Sequence, residues 1–378
     1  MKIYKQAVLP KDFKANGIAC GIKKSHKLDL ALFYSNVPAK ASCKFTANKI
    51  LAAPVRINKR YLKNNKSFRA IIANSGNANC FTGDIGIKDA RLSTELLAGV
   101  LNIKKESLLV ASTGIIGRRL PVRKIKAGIP KLVAGLSSQG IDKAKSAILT
   151  SDTFAKGIAV KFQIGRQVVT ICGVAKGAGM IAPNMATMLA FILTDAKITQ
   201  RALDKALSIC VDNSFNCITV DGCMSTNDSV MMLANGAADN PLIDKGKYFD
   251  LFTRAAGLVC LELAKMVIRD AEGATKFIRI KVEKARDRAE AKIAALSVAN
   301  SNLFKTAMYG ENPNFGRIAA AIGASGIDIK EKDLKIKVSP LNKKEINVSI
   351  SINRGKSSVV VYTSDLAPGY IKINAEYN

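Results

Sequence analysis

Lys176 to Ala196 reads KGAGMIAPNMATMLAFILTDA, and it changes character half-way. Glycine, alanine and proline dominate up to Ala186, whereas from Thr187 the run is apolar to Thr194 and Asp195. A small-residue loop therefore meets a buried strand at a single threonine. A threonine hydroxyl is a weak nucleophile, and the only histidine, His26, lies in a Lys-rich segment far from it, so a His-based triad is ruled out. The remaining route to activation is a cut before Thr187. The freed α-amine, with an ordinary pKa near ~8, then serves as the base. The competing reading is a glycine-rich connector leading into a core strand.

Working outward, the segments on either side supply further strands and turns. LDLALFYS (28–35) reads as a strand, and the glycines before it read as turns. RAII leads into the loop NSGNAN (74–79), whose composition suits a left-handed turn. Leu92, Leu96, Leu97, Val100 and Leu101 follow helical spacing. SLLVASTG (107–114) runs a strand into Thr113 and Gly114, and an amphipathic basic helix follows. A strand opening into small residues can aim a hydroxyl and a backbone N–H at one point, as an oxyanion hole requires. Ordinary loops do the same. Ser151, Asp152 and Thr153 read as a cap or turn. Residues 157–173 alternate about Gly165-Arg166 as a hairpin.

Beyond Thr187, residues 199–211 and 248–269 read as helices, and ITVDGCMSTNDSVMMLANG (218–236) as strand, polar turn and strand. INVSISI and SSVVVYTS read as antiparallel strands. The first fifty residues carry no group that titrates usefully at neutral pH except His26, and read as scaffold. Length and 48% apolar content allow a large core in two or three lobes.

The chain carries a net charge of +29, placed unevenly. Residues 1–186 hold 32 Lys and Arg against 8 Asp and Glu, or +24, and residues 187–378 hold 26 against 21, or +5. A nucleic-acid surface is one reading. Tryptophan is absent and no block of five basic residues occurs, so neither a stacking platform nor a basic tail is visible. Attraction of small carboxylates or a Lys-rich source fits better. Eight cysteines without a CxxC pair read as reduced thiols, and with one histidine they give zinc little to bind. No cofactor motif is present: neither GxxxxGK[ST] nor GxGxxG follows a strand. The N-terminus lacks a secretory apolar core and no run reaches membrane-spanning length, so the expected location is the cytoplasm.

The segment 176–196 resembles the self-cleavage segment of the ornithine acetyltransferase family, the bifunctional glutamate N-acetyltransferases, which split between the Ala and Thr of ATM, here Ala186 and Thr187. The resemblance covers essentially the full length. It extends through FTAN and AAPV, NSGNAN, a Thr-Asp-Thr word that is Ser151-Asp152-Thr153 here, RDAEG with Glu272, a KTA word, and ENPNFGR. That last word has Asn312 and Phe315 where Asp and Trp are usual, and Cys223 stands where the family usually has Asp.

The resemblance implies an α/β, self-cleaving acyltransferase of the N-terminal-nucleophile type, with β-sheets packed against helices. Its α chain is 1–186 and its β chain 187–378, assembled as a heterotetramer of two of each. It implies Thr187 as nucleophile and Thr113 with Gly114 as oxyanion hole. Thr153, Lys176, Thr187, Glu272 and Asn374 become substrate contacts, with Glu272 on an amino group. The implied substrates are N-acetylornithine and glutamate, with acetyl-CoA a further possible donor and no metal, nucleic acid or membrane. A substrate-binding Thr or Ser usual five positions after Asn374 has no counterpart, since the sequence stops at Asn378. The nearest rival is an N-terminal-nucleophile amidase or aminopeptidase that passes the acyl group to water.

Overall fold

The computed structural model describes residues 1–182 and 188–376. Two compact units emerge: Met1–Gly177 with Asn184–Ser214 and Ser225–Leu263, and Ala178–Pro183 with Phe215–Met224 and Ala264–Asn378. Ala186 and Thr187 lie outside the described residues.

The first unit is built on a nine-stranded sheet. Its strands are β1 (Lys2–Tyr4), β2 (Phe13–Ile18), β3 (Leu30–Phe45), β4 (Phe68–Asn77), β5 (Leu108–Ile115), β6 (Lys156–Ile164), β7 (Gln167–Lys176), β8 (Leu189–Thr194) and β9 (Ser229–Ala234). They run in the order β1-β6-β7-β8-β9-β3-β4-β5, with β2 on β3. The apolar run after Thr187 becomes β8, buried at all six positions and paired along both edges, as a strand covered on both faces requires. β7 pairs with it antiparallel and β9 parallel. The hairpin expected at 157–173 is β6–β7, turning at Gly165 with φ 61°. Helices Val122–Ala134, Ile141–Ala147 and Gln200–Asp212 pack on β2 and β3, and Ala53–Asn64 and Gly83–Leu101 on β5.

Two of the expected boundaries move. NSGNAN is not wholly loop, because β4 runs to Asn77; the left-handed backbone expected there falls at Gly76 and Asn79. On Gly83–Leu101 the buried face is Gly86, Asp89, Ala90, Ser93, Thr94, Leu97 and Ala98, while Leu92 and Val100 are exposed. Small residues let that face approach its neighbours closely, so the leucine spacing misplaced the stripe by one position.

The second unit packs helix Arg288–Asn300 on a four-stranded sheet of β10 (Phe277–Ala285), β11 (Lys335–Val338), β12 (Glu345–Ser351) and β13 (Ser357–Ser364), ordered β11-β12-β10-β13. β12 and β13 are strands as expected but do not pair. β10 lies between them, parallel to the first and antiparallel to the second. ITV (218–220) is not a strand. Among the described residues its ladder contact is an isolated bridge from Ile218 to Tyr362, where the Thr219 N–H donates to the Tyr362 carbonyl, and it goes no further because the Val220 N–H donates to the Ile181 carbonyl instead.

The expected helix over 248–269 is Lys247–Arg269. All eight cysteines are free thiols. Among the described residues no helix is long and apolar enough to cross a membrane, and no group of three or more His, Cys, Asp or Glu could hold a metal ion.

Candidate functional site

In the first unit, the end of β7 meets the end of β5. Lys176, 3% exposed, donates from Nζ to the Thr113 Oγ1 at 3.3 Å; Thr113 is also 3% exposed. A hydroxyl that accepts from an ammonium keeps its own proton to donate, and among the described residues the Thr113 hydroxyl donates to nothing. Gly114 follows with φ 130°, paired with Gly76 of β4. A Cβ there would lie 2.4 Å from the Gly76 carbonyl carbon and 2.6 Å from the Asn77 nitrogen. Both atoms are backbone and cannot swing aside. Gly114→Ala is therefore expected to destabilise the fold by about 2 kcal/mol or more through strain and clash together. The check is denaturant unfolding beside Gly117→Ala, where φ is also positive but the space is open; equal stability of the two variants would contradict the packing.

Asp152 organises this corner, although the sequence marks it only as part of a turn. Its carboxylate accepts from the Gly177 N–H (2.7 Å), the Thr150 N–H (2.9 Å) and Lys156 Nζ (2.7 Å). Burial disfavours its charge, yet the ammoniums of Lys176 and Lys156 and these hydrogen bonds hold it well below the usual carboxylate range. Asp152 thus stays ionised and fixes the backbone just after Lys176. Thr153 follows it in the chain and is exposed.

The asparagines of NSGNAN serve the scaffold. Asn74 donates to the Asn77 carbonyl, Asn77 to those of Arg118 and Arg119, and Asn79 to that of Gly86. Asn227 ties the ends of β4 and β5 by donating to the carbonyls of Ala78 and Ser112.

Asp228 is a second carboxyl missed in the sequence. One oxygen accepts the Met188 N–H at 2.8 Å, and the other has no hydrogen-bond partner among the described residues. Burial pushes its pKa well above the ordinary range, against the pull of Lys176. A carboxyl pushed toward its neutral form is therefore held beside the residue that follows Thr187 in the chain.

Glu272 and Asn374 come together in the second unit. The Asn374 Nδ2 donates to the Glu272 Oε2 at 2.9 Å and to the Tyr370 carbonyl at 3.0 Å. The Glu272 N–H donates to the Ala178 carbonyl, and its carboxylate lies where a Cβ on Gly179 would be, 2.1 Å from Oε2. Only glycine at 179 leaves that space. Asp221 clamps the same segment, accepting from the N–H groups of Met180 (2.6 Å) and Ile181 (2.9 Å) and from the Tyr370 hydroxyl (3.0 Å). Burial, then the Asp221 charge, raises that phenol well above its usual pKa.

The KTA word proves structural. Lys305 is 2% exposed and donates to the Val220 carbonyl (2.5 Å), the Thr363 hydroxyl (3.3 Å) and the Ser364 hydroxyl (3.5 Å). Burial brings its pKa down to about 8. In ENPNFGR, Asn314 caps helix Phe315–Gly323 by accepting from the Arg317 N–H, while the departures Asn312 and Phe315 are exposed.

Of the residues singled out in the sequence, Thr113, Gly114 and Lys176 form one cluster, and Glu272 and Asn374 another. The model of the ArgJ family matches residues 14–378, all but the first thirteen positions. The chain belongs to the ArgJ family. The arginine biosynthesis bifunctional protein ArgJ of Geobacter sulfurreducens is 44% identical, the match covering 97% of this chain and 99% of that protein. Its counterpart in Caldanaerobacter subterraneus is 43% identical over 98% and 97%. A solved structure of ornithine acetyltransferase complexed with ornithine, from Mycobacterium tuberculosis, is 37% identical over 48% of this chain and 97% of its own, with a TM-score of 0.44. This ArgJ chain is thus an enzyme of arginine biosynthesis, with an α/β fold of sheets packed against helices.

Proposed function

We propose that the protein cleaves itself between Ala186 and Thr187 and moves the acetyl group of N-acetylornithine to glutamate through an acetyl-Thr187 intermediate. In cleavage the Ala186–Thr187 peptide bond breaks and one water is taken up, leaving a carboxylate on Ala186 and an α-amine on Thr187. That amine takes the proton from Thr187 Oγ as the oxygen attacks the acetyl carbonyl, then returns it to the departing ornithine nitrogen. The acetyl ester next meets the amine of glutamate, which carries the group away as N-acetylglutamate and regenerates the hydroxyl. Thr113 and Gly114 hold the oxyanion in both halves. Thr153, Lys176, Glu272 and Asn374 bind substrate.

The observation that carries this reading is the buried Lys176–Thr113 pair beside Gly114: a hydroxyl with an unspent proton, polarised by an ammonium, at a step where only glycine fits. The sheet explains why a cut would not release the pieces. β8 and β9 come from 187–378, and each pairs with a strand of 1–186, β7 on one side and β3 on the other. We further propose assembly as two α and two β chains in the cytoplasm, a reducing compartment that suits eight free thiols. Acetyl-CoA is proposed as the second donor, in keeping with the word bifunctional in the relatives' names.

Rapid quenching with N-acetylornithine alone is expected to leave fragment 187–378 one acetyl group heavier. Added glutamate should clear that species faster than water does, with one N-acetylglutamate per ornithine. Clearance at the same rate with and without glutamate would make the enzyme a hydrolase instead. N-acetylglutamate formed from acetyl-CoA and glutamate alone would establish the second donor; none would confine the enzyme to recycling.

A further inference from the structure

The loop after β4 carries a side chain that the chemistry above leaves unused. Phe81 is 76% exposed and sits in the left-handed region at φ 57°, an uncommon backbone for an aromatic residue. Such a conformation persists only where its neighbours impose it. Here they do: the Cys80 carbonyl accepts the Gly117 N–H at 3.0 Å, the Asn79 carbonyl accepts the Ala53 N–H at 3.1 Å, and the Asn79 Nδ2 donates to the Gly86 carbonyl at 2.9 Å. The fold therefore holds a phenyl ring out in water.

That ring borders a cavity of about 270 Å³. Ile50, 57% exposed, adds to the apolar wall, and Lys49 and Arg56 supply charge. Both cations are exposed, and neither makes an ion pair among the described residues. Residues 46–60 and 78–88 contain the basic residues Lys49, Arg56, Lys59, Arg60 and Lys88 against Asp84 alone. Asp84 is exposed and does not line the cavity. Helices Ala53–Asn64 and Gly83–Leu101 both start in the wall without a side-chain cap, which adds to the positive potential. An aromatic face beside a cationic rim suits a ligand that joins a flat ring to phosphates, stacking the one and pairing the others.

Of the substrates proposed above, only acetyl-CoA is such a molecule; N-acetylornithine and glutamate have neither ring nor phosphate. The position suits it too. Asn77 pairs with Thr113 and Ile115 of β5, and the Ala78 N–H donates to the Ile115 carbonyl at 3.0 Å, so the loop that carries Phe81 starts beside Thr113 and Gly114. Coenzyme A bears its acyl group at one end of a long pantetheine arm and its nucleotide at the other. With the thioester at the oxyanion donors, the nucleotide must lie some way off.

We propose that this cavity binds the nucleotide end of acetyl-CoA, with Phe81 stacked on the adenine and Lys49 and Arg56 on the phosphates. This rests on the second-donor part of the reading above. In that half-reaction the bond from Thr187 Oγ to the acetyl carbon forms, the thioester C–S bond breaks, and coenzyme A leaves as the thiol with the proton that Thr187 Oγ gave up. Both donors share one acyl site, and the cavity serves only one of them.

The test measures N-acetylglutamate made by the full-length, self-processed enzyme from glutamate and either donor. Phe81→Asn removes the ring and keeps a residue type that tolerates the left-handed backbone; Lys49→Gln combined with Arg56→Gln removes the charges. Loss of a stacked base or of a hydrogen bond to a charged group corresponds to about 10- to 100-fold in binding. Each variant should raise the KM for acetyl-CoA by that factor and leave transfer from N-acetylornithine unchanged. Adenosine 3′,5′-bisphosphate should inhibit the wild-type enzyme competitively against acetyl-CoA and spare transfer from N-acetylornithine. An unchanged KM for acetyl-CoA, equal losses with both donors, or no competition by the bisphosphate overturns the proposal. A changed oligomeric state with the acetyl-CoA KM intact overturns it as well, and makes the patch a contact between copies. Should the variants fail to fold, the bisphosphate competition on wild-type enzyme decides. Wild-type enzyme that transfers from N-acetylornithine but not from acetyl-CoA overturns the second-donor reading and this proposal with it, and leaves the acetyl-Thr187 chemistry standing.

Discussion

Thr187→Ala is expected to remain one unbroken polypeptide and to make no detectable N-acetylglutamate. Alanine has no hydroxyl, so it can start neither the attack on the peptide bond before it nor the attack on an acetyl carbonyl. The chain offers no substitute: its one histidine lies at position 26, exposed and on a left-handed turn. The strand that follows should survive the change, because β8 is held on both sides by ladders that begin at Leu189. Loss of activity with unchanged unfolding behaviour therefore separates chemistry from misfolding. A Thr187→Ala protein that still yields two bands on a denaturing gel, or that still transfers acetyl to glutamate, contradicts the assignment.

Thr113→Ala is expected to cleave, fold and bind, but to turn over about 10²–10³ times more slowly, the usual cost of one oxyanion donor. The hydroxyl removed is the one that receives the Lys176 ammonium, so the variant also leaves that ammonium short of an acceptor. Thr113→Ser restores the acceptor and the donor together, and most of the rate should return. Measured kcat for the three proteins checks this. A Thr113→Ala enzyme within a few-fold of wild type would mean that the pair only braces β5 against β7.

The sequence is most informative where chemistry and backbone constraint coincide. Thr113-Gly114 is visible as a strand running into a small-residue step, and the structure gives the physical reason: at 114 the backbone of β4 stands where a Cβ would go. The hairpin and the buried strand after Thr187 follow from alternation and from an unbroken apolar run. Lys176, Glu272 and Asn374 are ordinary surface types on composition, and only the resemblance marks them.

What the sequence hides is burial of charge. Asp152 looks like a turn residue and Asp228 like part of a polar loop, yet both are enclosed, one ionised by neighbouring ammoniums and the other pushed toward its neutral form. Local patterning also does not say which strands pair. INVSISI and SSVVVYTS alternate correctly, but β10, from more than sixty residues earlier in the chain, separates them. ITV has strand-like residue types, but the segment around Ile181 claims its backbone first.

Intact mass spectrometry of the freshly purified, active wild-type protein under denaturing conditions tests the central claim most directly. The account predicts fragments 1–186 and 187–378, their masses together exceeding the 40.4 kDa of the unbroken chain by one water. A single species of 40.4 kDa from a preparation that makes N-acetylglutamate would contradict it.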